Sequence, residues 1–263
     1  MFLRSLLTVL LVAGASSMAL ADDADISFGG SPRMLSGKTT VVMQSEVVTM
    51  TVGADDVDVD CRFVFRNDGP ACTVRMGFPD SGRGGSDPSE IESETGRKSN
   101  GTFRSFTSYV DGKRVSTTID RDGESKGNLW HVKVVHFNRG QTVNVRDVYR
   151  TIVSSQVNVS PGYQGGNFST FYVLRTGASW AGKIGRAEVV VHMKRPGARA
   201  VRLASYAAAG NPDPYKIAWS KFPAGTVLWR GPSTPTVSGN TIRFVRSNFE
   251  PGYLDDVLLF FNK

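Results

Sequence analysis

The sequence predicts an all-β fold, two tandem immunoglobulin-like antiparallel β-sandwiches, and three observations carry that expectation. Over residues 57–65, Val57, Val59, Cys61, Phe63 and Phe65 hold one parity while Asp58, Asp60 and Arg62 hold the other, the period of a half-buried strand. Turn signals recur at short intervals, among them Asn67-Asp68-Gly69-Pro70, Asp111-Gly112 and Asn138-Arg139-Gly140-Gln141. No long amphipathic helix interrupts this pattern, and no internal repeat of fixed period is present.

Residues 1–21 read as a secretory signal: Arg4, the apolar run 6–12, then Ala19-Leu20-Ala21. The mature chain is expected to start at Asp22 and to be exported, periplasmic or extracellular, with no integral membrane segment once the signal is removed. Residues 22–45 form a loose lead-in ending in a strand at 40–43. Three strands follow over 47–79, read as one layer of a sandwich, with Cys72, Val74, Met76 and Phe78 inward after the Asn67 turn. Residues 80–101, rich in Gly, Ser and charge, are expected to be a mobile loop.

Order resumes at Phe103, where Asp111-Gly112 supplies the positive φ values of a tight hairpin. Residues 129–137 and 143–149 are read as a further hairpin, completing about seven strands. This N-terminal domain, 22–150, is followed by a C-terminal β-sandwich domain, 151–263. Strands are expected there at 170–175, 185–194, 199–205, 241–246 and 256–261, with loops around short strands over 206–235.

Charge separates the halves. Residues 22–150 carry 17 Lys plus Arg against 19 Asp plus Glu, and residues 151–263 carry 13 against 5, so the second half stands near +8. A basic half in an exported protein points to an anionic neighbour such as a phosphorylated or carboxylated polymer, or simply to solubility. Nucleic acid is not an expected partner of an exported chain.

Cys61 and Cys72 lie on the apolar parity of their strands. In a simple hairpin they sit on the order of 13 Å apart at strand rise. A disulfide therefore requires the two strands to face each other from different sheets, the alternative being two buried thiols.

Catalytic and metal patterns are missing. His131 and His136, five apart, point to opposite faces of one strand, and His192 is solitary. There is no His-Glu-x-x-His, Cys-x-x-Cys, Gly-x-Ser-x-Gly or Ser-x-x-Lys sequence. No catalytic residue, cofactor or resident metal is assigned, and the chain is not expected to be an enzyme. Asp56, Asp58 and Asp60 form an acidic stripe suited to calcium, or to a solvated face balanced by Arg62 and Arg75. The segment Arg175 to Arg186 presents Trp180 among small residues, with Arg175, Lys183 and Arg186 as cations. It reads either as a ligand-binding loop or as the closure of an interdomain seam.

Several phrases, FRNDGPACTVRMGFP (65–79), WHVKVVHFNRGQTVNVRDVY (130–149) and YVLRTGASWAGKIGRAEVVV (172–191), with Phe249-Glu250-Pro251, resemble a family of exported bacterial proteins of unknown function built from two β-sandwich domains. The resemblance implies the fold and carries no site residue; the two Cys depart from its pattern. The resulting expectation is an exported noncatalytic binding or scaffolding protein of the bacterial envelope. The alternative is a binder of anionic envelope polymer or glycan through the basic C-terminal half.

Overall fold

The computed structural model describes residues 24–36, 40–83, 92–93, 96, 101–121, 128–156, 167–194, 200–207 and 217–262. In chain order the first half holds β1 (Ala24–Gly30), β2 (Arg33–Met34), β3 (Val41–Val52), β4 (Asp56–Asn67), β5 (Cys72–Arg83), β6 (Ser105–Val110), β7 (Lys113–Val115), β8 (Thr118–Arg121), β9 (Asn128–Phe137) and β10 (Thr142–Ile152). The second adds β11 (Ser154–Gln156), β12 (Asn167–Val173), β13 (Ile184–Met193), β14 (Arg202–Ser205), β15 (Thr226–Arg230), β16 (Thr236–Ser238), β17 (Thr241–Phe249) and β18 (Val257–Phe261). The expected signal at 1–21 and most of the expected loop at 80–101 lie outside the described residues, while residues 80–83 belong to β5.

The protein is all-β, as the alternation predicts. One sheet has the order β16-β17-β13-β3-β4-β10-β6-β7, and the other β14-β15-β18-β12-β11-β1-β5-β9-β8 with β2 beside β5. Pairing is antiparallel except at β3–β13, β1–β12 and β14–β15. Both sheets draw strands from both halves of the sequence. β13 runs beside β3 from Arg186 opposite Ser45 to Met193 opposite Val52, so the boundary expected at 150/151 marks no gap in that sheet. The parities read from sequence are the buried ones: Val57, Val59, Cys61, Phe63 and Phe65 face one core together with Ala187, Val189, Val191 and Met193. Each Val, Phe or Met among them contributes about 1.5–3 kcal/mol on full burial.

Two expected hairpins are instead crossings between the layers. β4 is flanked by β3 and β10, and β10 by β4 and β6, so neither has a free edge for β5 or β9. Those two strands pair with each other in the opposite sheet. The crossings meet at Asn67, which is fully buried. Its Nδ2 donates to Pro70 O at 2.6 Å and Asn138 O at 3.3 Å, and its Oδ1 accepts from Gly69 N at 3.0 Å and Thr40 Oγ1 at 2.6 Å. Its backbone completes the lock, with N bonded to Gln141 O and O receiving Gly140 N. Asn67→Ala is expected to cost about 2 kcal/mol, since it removes the side-chain hydrogen bonds of a fully buried amide to Thr40, Gly69, Pro70 and Asn138, whose groups can turn in part to water. Urea unfolding checks this; a loss below half that value would show the crossings hold without the amide.

The Asp111-Gly112 hairpin is present as expected, with φ of 48° and 76° between β6 and β7. A smaller apolar cluster of Ile217, Leu228 and Phe260, with Trp219 and Phe222 packed against it, lies apart from the main core.

Candidate functional site

The residues singled out in the 175–186 segment do not converge. Val173 ends β12, and after Leu174 a 3-10 turn follows over Arg175–Ser179. Trp180 is 4% exposed, its Nε1 donates to Pro32 O at 2.7 Å, and its ring lies 4.5 Å from that of Phe65. It closes the end of the core and offers no face to a ligand. Arg186 is on the outer face of the β3 sheet, where it and Arg243 grip Glu188 at 2.6 Å each and hold that carboxyl below the usual range. Lys183 is exposed at the turn.

Arg175 belongs to a different constellation, which the sequence did not reveal. Its guanidinium bonds Asp256 at 2.5 Å, and Asp256 Oδ1 also accepts the backbone N–H of Leu174 and Arg175 at 2.9 and 3.0 Å. Burial outweighs those donors and raises the Asp256 carboxyl. The same guanidinium lies 5.2 Å from the ring of Tyr253, and Arg230 lies 4.4 Å from it. Tyr253 sits on the short turn Tyr253–Asp255 between β17 and β18, pinned by Asp255, which accepts Gly252 N at 2.7 Å and pairs with Arg246. The turn therefore holds outward two large apolar side chains, Tyr253 at 62% and Leu254 at 70% exposure, flanked by arginines. Exposure of this kind depends on how β12, β15 and β18 end together, which no local pattern encodes.

The core contains a second unpredicted feature, a run of buried polar groups between the sheets. Lys133 and Asp147, 3% and 0% exposed, pair across the layers with Nζ 2.7 Å from both carboxylate oxygens. Asp147 is opposite Cys61 on β4 and Ser108 on β6. Glu46, fully buried, accepts Ser31 Oγ at 2.7 and 2.9 Å and Tyr172 Oη at 2.7 Å. Burial pushes its carboxyl up to about 7 against those two hydrogen bonds. Further along, His131 Nε2 lies 2.9 Å from Asp80, which also accepts Thr102 N and Oγ1, and the imidazole stacks on Phe106 and Phe103. His131 is thus a core residue, while His136 is exposed and bonds Thr73.

Cys61 and Cys72 are both free. They stand in different layers, as a disulfide would require, but Cys61 lies beside Val48 and Asp147 and Cys72 beside Phe137. Burial pushes the Cys61 thiol up, so it is inert at neutral pH.

The acidic stripe lines a trough of about 470 Å³ on the outer face of the β3 sheet. Arg150 pairs with Asp58, Arg104 with Asp56, and Arg146 and Arg62 with Asp60. Burial raises the Asp60 carboxyl, but the two guanidinium groups outweigh it and hold the group low. The balancing cations differ from the expected set: Arg75 pairs instead with Asp120 in the other sheet. Among the described residues, no group of three or more His, Cys, Asp or Glu is placed to hold a metal ion. None of their helices is long and apolar enough to cross a membrane.

No protein-family model matches the chain, and no curated protein matches it in sequence. Solved structures do share its architecture. A protein of Legionella pneumophila described as a "putative nutrient binding protein" superposes with a TM-score of 0.62 at 19% identity, over 89% of this chain and 71% of that one. An M1 zinc metallopeptidase from Deinococcus radiodurans reaches 0.36 at 12% identity, over 85% of this chain and 42% of its own. Leukotriene A4 hydrolase from Saccharomyces cerevisiae reaches 0.41 at 9%, over 87% and 30%. This chain spans less than half of either enzyme, and the geometry shared with them is slight. The Legionella likeness is one of fold.

Proposed function

We propose that this protein is an exported, noncatalytic binding protein whose ligand is an anionic glycan, held at the Tyr253–Leu254 turn. The observation that supports this most is the pair of outward apolar side chains, 62% and 70% exposed, set among Arg175, Arg230 and Arg246. An exposed tyrosine ring stacks on a sugar ring, and planar guanidinium forks donate paired hydrogen bonds to carboxylates. Arg175 and Arg246 hold their aspartates on the protein side, yet their side chains remain 43% and 41% exposed, leaving donors for a ligand. The +8 balance of residues 151–263 favours an anionic chain in the same direction.

The buried carboxylates support a binding role over a catalytic one, because Asp147 and Glu46 are spent on Lys133, Ser31 and Tyr172 inside the core. The nutrient-binding description of the Legionella protein is of the same kind.

Polygalacturonate as the acidic probe and dextran as the neutral one separate the alternatives by calorimetry at 20 and 300 mM salt. Binding of the acidic chain that weakens at least tenfold at the higher salt is expected, with no binding of dextran. Equal binding of both polymers, or binding that ignores salt, would overturn the anionic reading. Turnover of either would overturn the noncatalytic one.

A further inference from the structure

β7 ends before the strand it pairs with does. The two-residue turn Asp111-Gly112 sets Val110 opposite Lys113, Tyr109 opposite Arg114 and Ser108 opposite Val115. Continued, that register would set Ser116 beside Thr107 and Thr117 beside Phe106. Instead the chain leaves the β3 sheet after Val115 and enters the other sheet, where Thr118 is opposite Val132 of β9. The departure leaves a pocket of about 410 Å³ beside β6, with Phe106, Thr107, Arg114, Ser116 and Thr117 in its lining.

Two features of this gap define what fits it. The first is the backbone of Phe106. Successive residues of a strand turn their N–H and C=O to opposite sides. Asp111 N donates to Asn144 O at 2.8 Å, toward β10, so by alternation the even-numbered residues of β6 address the β7 side. Val110 and Ser108 meet Lys113 and Val115 there, whereas Phe106 has no opposite residue and no backbone hydrogen bond to Thr117. Its ring is engaged in the core, 4.1 Å from that of His131 and 5.3 Å from that of Phe78. What Phe106 offers the gap is therefore one main-chain donor and one main-chain acceptor. The second feature is Arg114, which is exposed and makes no ion pair among the described residues.

We propose that this gap binds the end of a short extended peptide, which takes the place β7 vacates, pairs with Phe106 and sets its terminal carboxylate on Arg114. A residue opposite Phe106 exchanges two main-chain hydrogen bonds with it, as an unpaired sheet edge does with an added strand. The guanidinium donates charge-assisted bonds to the carboxylate. A sugar acid satisfies Arg114 equally well but has no N–H and C=O spaced to meet those of one residue. The volume falls within the roughly 300–1,000 Å³ usual for ligand sites, and the vacated length limits pairing to about two residues. The site is independent of the Tyr253 turn, which adjoins β17 near the opposite edge of the strand order.

Hydrogen exchange followed residue by residue in the intact protein reads the pairing directly. Without peptide, the Phe106 amide is expected to exchange at least tenfold faster than that of Ser108, whose partner is Val115. The tripeptide Ala-Val-Ala is expected to slow Phe106 exchange saturably, and the same tripeptide amidated at its C-terminus to bind at least fivefold more weakly. Arg114→Gln is expected to erase the difference between the two peptides while leaving the urea unfolding curve unchanged. A Phe106 amide already protected without peptide, or no saturable slowing at millimolar peptide, would overturn the proposal. So would equal slowing by galacturonate, or a preference for the free carboxylate that survives Arg114→Gln.

Discussion

Lys133→Met is expected to destabilise the protein by about 3–5 kcal/mol, the largest single effect anticipated for a substitution that keeps side-chain volume. The reason is Asp147, which is fully buried and loses the cation that sits 2.7 Å from both its oxygens. A charge left alone in that core, with no second cation bonded to it, is poorly solvated, so the native state must take up a proton, rearrange or unfold. Asp147→Leu alone is expected to be damaging for the mirrored reason. The double variant Lys133→Met/Asp147→Leu should recover most of the loss, because a buried pair contributes little net stability over an apolar one of similar size. Urea unfolding of the four proteins forms the double-mutant cycle. Single losses below about 1 kcal/mol, or a double variant as unstable as the two losses summed, would show that the pair is hydrated or weak.

Stability is expected to fall as pH rises from 5 to 8, with Glu46 as the main source. Its carboxyl titrates near 4.5 when unfolded and about 7 when folded, because burial disfavours the charge. Between those values the native state keeps a proton that the unfolded chain has released, so raising the pH favours unfolding. The contribution is intact below about 4.5 and lost as pH passes through 7, for a total of about 3 kcal/mol at 1.4 kcal/mol per unit. Glu46→Gln keeps an oxygen to accept the Ser31 and Tyr172 hydroxyls while removing the ionisation. It should be more stable than the parent at pH 8 and should flatten the dependence. Parallel pH curves for the two proteins would place the titration elsewhere.

Alternation along the chain identified which residues face the core, and residues 57–65, 74–78 and 187–193 are buried in the parity that pattern demands, with Cys72 half-buried at the strand's start. It did not identify partners. A four-residue turn such as Asn67-Asp68-Gly69-Pro70 serves a hairpin or a crossing equally well, and the choice is made by which strand edges are already occupied. The β3–β13 pairing, 140 or so positions apart in sequence, has no local signature at all. The polar core had a signal that could have been read. Lys133 and Asp147 interrupt otherwise apolar parities, Val135 and Phe137 on one strand, Val143, Val145 and Tyr149 on the other, with opposite charges. A charged residue on the inward face of each of two strands is most economically explained by their pairing. Trp180, by contrast, sits in a small-residue loop consistent with either a ligand platform or a seal, and only its bond to Pro32 decides for the seal. The Tyr253 turn was silent in the sequence because its exposure is a property of the assembled end of the sandwich.

Trp180→Ala is a poor test of binding for the same reason, since it removes a core side chain packed on Phe65. The direct test is polygalacturonate affinity at low salt for two variants of equal charge change. One carries Tyr253→Ser, Arg175→Gln and Arg230→Gln at the exposed turn; the other carries Arg62→Gln and Arg66→Gln on β4, with unfolding curves confirming that both are folded. At least a tenfold loss is expected at the turn beyond the small, uniform weakening that any lost charge produces, with the β4 variant close to the parent. Equal weakening in the two would contradict it, and would mean that the basic surface acts as a diffuse field with no site at Tyr253.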